Sequence, residues 1–408
     1  MIESKAKRHL TPKSVDELAA LVGACDTARE TIAIEGGKTL HGFGFPAHGD
    51  LTLSTTGLNE IVAYEFADLT IAAQAGMTVA DFSHRLAERG QFVPIDAPLR
   101  TSATLGGTLA SGWLGPRRHL FGRPRDYLIG SQVVLASGAT VSAGGMVVKN
   151  VTGYDMSKLY TGAFGTLGIF TQLNFKTLPK PAQARALIAT LPERTRSRAI
   201  EQLAVLEIPP SAALCIEGFR KSIDGQDGID GRLFVLFEGS SHLIDRATRN
   251  LRSALGKAGI PEATIIDTGA NESFERVVDS YVANVGERSM AYRELGLPET
   301  VQNRALGLRD LAHRHELFTD LLIDVMNGDV VLRVSERDSR AFAGKIELFD
   351  DELHRLAPSA AIVAGESGLR NGLNVWGELP NAIDKMRALK RQFDPNGTLN
   401  PGRFIVSL

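Results

Sequence analysis

Residues 102–178 carry the most structural information in this chain and read SATLGGTLASGWLGPRRHLFGRPRDYLIGSQVVLASGATVSAGGMVVKNVTGYDMSKLYTGAFGTLGIFTQLNFKTL. Glycine-rich segments stand near its two ends, Gly106-Gly107 and GAFGTLG at 162–168. Between them a pattern of two strands meets at Ser137-Gly138, which is a hairpin signal. Because glycine has no side chain, it admits positive φ and lets a ligand approach the main chain. This arrangement favours a site for a large flat cofactor with a phosphate tail.

A further glycine turn, Gly36-Gly37-Lys38-Thr39, follows a short apolar strand at 31–34. It is not a P-loop, because the position that must hold the first glycine is Ile32. The nearby segment 42–47 matches a dinucleotide fingerprint in letters only, since Pro46 breaks the helix that should follow. Two interpretations remain: a nest of free backbone N–H groups that binds a phosphate, or a plain β-turn.

The segment around Gly106-Gly107 predicts the first turn of a short helix, with Thr104 as its cap. A helix N-terminus offers N–H groups and partial positive charge to an anion, whereas tight helix–sheet packing also favours small residues. The arginines that follow either neutralise a phosphate or an anionic partner, or form a solvated loop face. They are Arg117, Arg118, Arg123 and Arg125.

Polar residues precede the second glycine segment. Asn150, Tyr154 and Lys158 either line a pocket or belong to a turn that leads into a capped helix. His313 and His315 lie in a helical pattern, where residues two apart point in different directions, so we predict no metal site there.

Composition bounds the class of protein. The chain has 408 residues, 43% of them hydrophobic and 23% charged, which predicts two or three domains with an ample core. A net charge of −2 gives no electrostatic reason to expect nucleic acid or an anionic membrane as a partner. Two cysteines, Cys25 and Cys215, exclude a disulfide framework and an iron–sulfur cluster held by this chain alone. Without a secretory signal or an apolar span, we expect a cytoplasmic protein.

The composition and the hydrophobic pattern change after Pro179-Lys180-Pro181, where glycines become fewer and helical segments alternate with short strands. The whole chain is therefore predicted as α+β. The motifs that carry a family likeness are ATLGGTLASG at 103–112, GPRR at 115–118, KNVTGYD at 149–155 and GTLG at 165–168.

On these motifs the chain resembles FAD-binding proteins of the vanillyl-alcohol oxidase and p-cresol methylhydroxylase (PCMH) type, and within them the FAD-binding subunits of bacterial glycolate oxidases. The resemblance implies a two-subdomain PCMH-type FAD-binding domain over residues 1–179. It implies an α+β cap domain over 180–375, which closes over the isoalloxazine ring. The remaining segment, 376–408, would return to the FAD-binding domain.

The resemblance also implies the residues that hold FAD. The diphosphate would rest on the first glycine loop and on the segment that begins at Thr104, and the second glycine segment would lie along the rest of the cofactor. The implied FAD-binding residues are Glu35, Gly36, Gly37, Lys38, Thr39, Leu40, His41, Thr104, Gly106, Gly107, Ala110, Ser111, Asn150, Gly162, Gly165, Ile169 and Asn400.

Two departures from the family pattern refine this expectation. Covalent relatives place a histidine after the paired glycines, where this chain has Lys38, and no cysteine lies in 90–112, so we predict non-covalent FAD. Catalytic subunits of related D-2-hydroxyacid dehydrogenases carry a histidine-rich metal motif, whereas residues 322–329 here read LIDVMNGD. We therefore assign no catalytic base and no metal.

The expected function is that of an FAD-binding subunit in a complex that oxidises glycolate or a related 2-hydroxy acid. The implied partners are a homologous catalytic flavin subunit and an iron–sulfur subunit, which would hold the protein in the cytoplasm or at the inner membrane. One alternative is a self-sufficient FAD-dependent oxidase or dehydrogenase of another alcohol or sugar. Another is a non-catalytic assembly subunit that keeps the flavin fold.

Overall fold

The computed structural model describes residues 8–146, 154–218, 231–260, 262–282, 285–370 and 372–405. The chain forms two compact units. The first comprises Met1–Leu114, Arg123–Lys180 and Leu379–Leu408, and the second comprises Gly115–Gly122 and Pro181–Glu378. Nothing in the sequence indicated that 115–122 belongs with the second unit.

The part of the chain before residue 180 contains short strands and short helices. Its strands are β1 (Arg8–Leu10), β2 (Ile32–Glu35), β3 (Leu51–Ser54), β4 (Ile61–Glu65), β5 (Thr70–Gln74), β6 (Gln91–Phe92), β7 (Leu128–Val134), β8 (Thr140–Gly144), β9 (Ile169–Lys176) and β10 (Leu178–Pro179). Its helices are α1 (Val15–Ala28), α2 (Val79–Ala87), α3 (Leu105–Ser111), α4 (Arg118–Phe121) and α5 (Ser157–Tyr160). Of these, α4 lies in the second unit.

Two sheets position the site in the first unit. One is parallel, in the order β1-β3-β2, and the other is antiparallel, in the order β4-β5-β9-β7-β8. The central strand β9 is buried between two apolar clusters, because Ile169 packs with the α1 side and Phe170 packs with the opposite side. The predicted β7–β8 hairpin is confirmed, with Gly138 at a φ of 82° in its turn.

The first helix shows why local sequence suffices for some elements. The Ser14 side chain accepts a hydrogen bond from the Glu17 backbone N–H at 3.1 Å and so caps the helix N-terminus. The Glu17 carboxylate accepts a hydrogen bond from the Lys13 N–H at 2.7 Å. A capping box would instead require a bond from the Ser14 N–H to this carboxylate. Leu18 and Val22 are fully buried, so one face of α1 enters the core.

The second unit is built on one large antiparallel sheet, in the order β14-β11-β13-β12-β16-β17-β15-β18. Its strands are β11 (Gln183–Leu191), β12 (Ala212–Glu217), β13 (Gly231–Gly239), β14 (Thr264–Ile266), β15 (Ser289–Glu294), β16 (Phe318–Asp324), β17 (Asp329–Ser335) and β18 (Ala361–Gly365). Its helices after α4 are α6 (Glu193–Ala204), α7 (Ser241–Lys257), α8 (Ala270–Asp279), α9 (Val301–Arg314), α10 (Ser339–Leu356) and α11 (Ser367–Arg370). The predicted α+β class is confirmed.

The C-terminal segment belongs to the first unit. It consists of α12 (Ile383–Phe393) and the chain that follows it. Leu399 bridges to Ile32 in parallel and is fully buried, so this segment extends the β1-β3-β2 sheet beside the first glycine loop.

Candidate functional site

One cleft of the first unit collects most of the predicted site residues. It has a volume of about 790 Å³, counting its open mouth. The predicted residues that line it are Glu35, Gly36, Gly37, Lys38, Thr39, Leu40, His41, Thr104, Gly106, Gly107, Ala110, Ser111, Gly165, Ile169 and Asn400. Segments that are far apart in sequence therefore meet on the walls of one cavity of cofactor size.

Some predicted positions lie elsewhere. Gly162 is not on the cleft wall. It packs against Gly112, where an added Cβ would lie 3.1 Å from the Gly162 Cα, so the two glycines permit close backbone packing. Tyr154 is 91% exposed, and Lys158 pairs with Asp155 at the surface, so neither lines the pocket. Asn150 lies outside the described residues.

The cleft also contains residues that the sequence prediction missed. Phe164 and Arg403 line it, and the Arg403 guanidinium lies 5.5 Å from the centre of the Phe164 ring. Both stand beside predicted positions, inside the GAFGTLG run and three residues after Asn400. The neighbouring glycines were the available signal, because they showed where the backbone comes close to a ligand.

The first glycine loop presents main-chain donors to the cleft. Within the described residues, the backbone N–H groups of 37–40 have no hydrogen-bond acceptor. Lys38 has a φ of 60°, a left-handed conformation that is uncommon for lysine. Successive free N–H groups around such a residue form an anion-binding nest, so the geometry favours the nest over the plain β-turn.

A carboxylate stands at the base of this loop. Glu35 Oε1 lies 2.9 Å from Lys38 Nζ and 2.7 Å from His9 Nε2, and its side chain is 8% exposed. Burial by itself raises the pKa of the Glu35 carboxyl, but the hydrogen bonds from Lys38 and His9 outweigh it and hold the pKa below its usual value. Glu35 is therefore ionised at neutral pH, and the Lys38 ammonium offsets its charge near the nest.

The N-terminus of α3 corrects one expectation. Thr104 caps the helix as predicted, with its Oγ1 accepting from Gly107 N at 3.1 Å. The Gly106 N–H donates to Ala75 O at 2.7 Å, and the Leu105 N–H donates to another carbonyl. The first-turn amides are thus already bonded inside the protein and are not free for an anion. Gly106 instead permits close packing, since an added Cβ would lie 2.9 Å from Ala75.

The paired arginines are not part of this cleft. Arg117 Nη1 lies 2.9 Å from Glu238 Oε1, and Arg118 Nη2 lies 2.6 Å from Asp329 Oδ1, all within the second unit. Both arginine side chains are 15% exposed, so they form neither a phosphate clamp in the cleft nor a solvated face. The solvated-face interpretation suits Arg123, which is half-exposed.

The Arg118 pair belongs to a buried charge cluster. Arg293 Nη2 approaches Asp329 Oδ2 at 2.5 Å from the other side, and Asp324 lies 3.9 Å from Arg118. Burial, followed by the charge of Asp329, raises the pKa of Asp324 to about 7. Asn327 Nδ2 donates to Asp324 Oδ2 at 2.8 Å and fastens the β16–β17 turn to it.

The described part of the chain contains no group of three or more His, Cys, Asp or Glu residues arranged for a metal ion. His313 lies in helix α9, as predicted, and its Nε2 lies 3.3 Å from Thr319 Oγ1. Cys25 and Cys215 are buried and unpaired with each other. Among the residues described, no helix combines the length and apolarity that a membrane crossing requires.

A protein-family comparison addresses the cofactor directly. The model of an FAD binding domain matches residues 6–144, which include the first glycine loop and α3. Residues 6–144 are thus similar to FAD-binding domains. The prediction of FAD is thereby confirmed, and the nest of this domain has the donor chemistry that a diphosphate requires.

Curated relatives extend the similarity along the FAD-binding chain. It is 27% identical to glycolate oxidase subunit GlcE of Escherichia coli, over 92% of this chain and 93% of that protein. It is 26% identical to glycolate oxidase subunit GlcD of Bacillus subtilis, over 97% of this chain and 88% of that protein. A D-lactate dehydrogenase of Anaerostipes hadrus is 25% identical over 97% of this chain and 88% of that protein. The homologues are oxidoreductases, which confirms the predicted enzyme class.

Solved structures show the fold. p-Cresol methylhydroxylase with substrate bound superposes with a TM-score of 0.71 at 16% identity, covering 97% of this chain and 88% of that one. Alkyldihydroxyacetonephosphate synthase superposes with a TM-score of 0.69 at 16% identity, covering 96% and 75%. The PCMH-type fold predicted for the FAD-binding chain is therefore confirmed.

Proposed function

We propose that this protein is the FAD-binding subunit of a glycolate-oxidase-like complex, which oxidises glycolate or a related 2-hydroxy acid and delivers the electrons to a partner. The observation that carries the proposal is the end-to-end similarity to a glycolate oxidase subunit, over 92% of this chain and 93% of that protein. The cleft supports it with a free-amide nest beside a small-residue wall.

The residues of the cleft suit non-covalent FAD. The free N–H groups of 37–40 would hold the diphosphate, and Lys38 would offset its charge together with that of Glu35. The residue after the paired glycines is lysine, and no cysteine is found among the cleft-lining residues. Bound FAD supplies the acceptor for a hydride from the substrate α-carbon.

Partner subunits complete the proposal. A chain with two cysteines cannot ligate an iron–sulfur cluster alone, so a relay of that kind would come from a separate iron–sulfur subunit. The similarity to both GlcD and GlcE supports a homologous flavin subunit as the second partner. Such a complex would lie in the cytoplasm or at the inner membrane through its partners.

The test is anaerobic spectroscopy of the purified chain, alone and together with candidate flavin and iron–sulfur partner subunits. We expect yellow protein that releases FAD on acid treatment, and flavin bleaching by glycolate once the partners are present. A chain that never takes up FAD would support the assembly role instead. Bleaching of the isolated chain by D-lactate, but not by glycolate, would support a self-sufficient dehydrogenase, an alternative consistent with the D-lactate dehydrogenase relative.

Gly107 provides a charge test of the cleft. Gly107→Asp is expected to weaken FAD binding by about tenfold or more relative to Gly107→Asn, because only the aspartate adds negative charge near the diphosphate. Both variants share the same steric change, since an added Cβ would lie 2.9 Å from Thr104 Oγ1. Isothermal titration of the apo-protein with FAD measures the ratio. Equal affinities of the two variants for FAD would mean that the diphosphate does not lie near Gly107.

A further inference from the structure

The C-terminal segment connects two walls of the FAD cleft through one side chain. Asn400 Oδ1 accepts a hydrogen bond from Ile34 N at 2.7 Å, at the end of β2. Its Nδ2 donates to Phe164 O at 2.7 Å, in the second glycine segment. The backbone N–H of Asn400 donates to Ile32 O at 2.9 Å. A single amide, 3% exposed, thus joins the strand that leads into the nest to the opposite wall.

The backbone conformation at residue 400 favours asparagine. Asn400 has a φ of 43°, in the left-handed region that asparagine tolerates better than most residues. The facing residue is Gly165, where an added Cβ would lie 3.1 Å from Asn400 Nδ2. A side chain at 165 would therefore crowd the bridging amide, and the small residue leaves room for it.

Arg403 forms a second tie from the same segment. Its Nη2 donates to Leu40 O at 3.1 Å, and its Nη1 donates to Phe45 O. The guanidinium also lies over the ring of Phe164, against which Phe404 stacks at 5.4 Å. The nest loop and the second glycine segment are both held by residues that lie within 400–404.

We propose that Asn400 is a positioning residue that sets the separation of the nest and the second glycine segment, with Arg403 as its auxiliary tie. Each polar group of the Asn400 amide already makes a hydrogen bond within the protein, so we assign this residue an action through Ile34 and Phe164. The inference rests on the proposed role of the cleft in holding FAD.

The decisive variant is Asn400→Asp. The ionised carboxylate still accepts from Ile34 N but faces Phe164 O without a proton to donate, whereas the protonated acid has both groups of the amide. We expect the dissociation constant for FAD to rise about tenfold or more near pH 8 and to recover towards pH 5. The wild-type protein supplies the reference at each pH. Urea unfolding at each pH identifies a loss of overall stability, which changes the folded fraction and not the affinity of the folded protein for FAD.

Two further variants complete the design. Asn400→Gly retains the left-handed backbone while removing both side-chain bonds, so it should bind FAD weakly at every pH. Asn396→Ala is the control, since Asn396 is exposed in the same segment and its side chain bonds to Asp26 outside the cleft. It should leave the FAD affinity unchanged at both pH values.

Amide hydrogen exchange of the apo-protein separates this inference from the proposed function. We expect faster exchange at 36–40 and 162–168 in Asn400→Gly than in the wild type, whether or not FAD is added. Wild-type protein that binds no FAD would refute the proposed function, and the exchange data would still decide the role of Asn400. Unchanged exchange together with a pH-independent FAD affinity in Asn400→Asp would overturn the inference.

Discussion

Gly37→Ala is expected to abolish FAD retention. An added Cβ on Gly37 would lie 1.6 Å from Ser102 O, a backbone atom that cannot rotate away. The loop must therefore move, and the free N–H groups of 37–40 move with it. Because we propose that the directions of these donors hold the diphosphate, we expect less than about a tenth of the wild-type FAD content after gel filtration, with a stability loss of about 1–3 kcal/mol.

Gly256→Ala is the matched control for this substitution. Gly256 is exposed on α7, and an added Cβ would meet no atom within 4 Å. It should keep its FAD and gain roughly 0.5–1 kcal/mol of stability from helix propensity. FAD content is measured by absorbance against protein concentration, and stability by urea unfolding of the apo-proteins. Full FAD content in a folded Gly37→Ala protein would contradict the position that we assign to the diphosphate.

Arg118→Ala is expected to destabilise the second unit strongly while leaving FAD binding intact. Arg118 pairs with Asp329 at 2.6 Å, and the carboxylates of Asp329 and Asp324 are almost completely buried. Without this arginine, two buried acids share Arg293 alone. Removing one partner of a buried ion pair typically costs about 3–5 kcal/mol, because the other charge stays buried without compensation. The pKa of Asp324, already raised by burial, would rise further.

The measurement is urea unfolding together with proteolysis of the second unit, and FAD titration on the same protein. Arg123→Ala is the control, because the Arg123–Asp126 pair is half-exposed at 3.6 Å and should contribute less than about 1 kcal/mol. Loss of FAD from Arg118→Ala at unchanged stability would restore the interpretation of these arginines as an anion site.

Much of the cleft could be predicted because its signals are local. Glycine turns, an N-cap at Thr104 and the Ser137-Gly138 hairpin depend on the backbone preferences of a few consecutive residues. The alternation of helical segments with short strands after Pro179-Lys180-Pro181 could also be predicted, because an apolar face repeats along helices such as α7 and α10. The bounds of individual strands such as β11, β15 and β18 could not be predicted, since buried strands in a sheet give short apolar patterns that also suit helices.

Local sequence was enough to predict where the backbone can approach a cofactor, and its motifs indicated FAD as that cofactor. Only the tertiary structure decided which polar groups remain available there. The first-turn amides of α3 are bonded to residues such as Ala75, Arg117 and Arg118 pair with acids 121 and 211 residues away, and Asn400 bonds to Ile34. Backbone conformation is set by neighbours in the chain, whereas hydrogen-bond and ion-pair partners are chosen by the packing of distant segments.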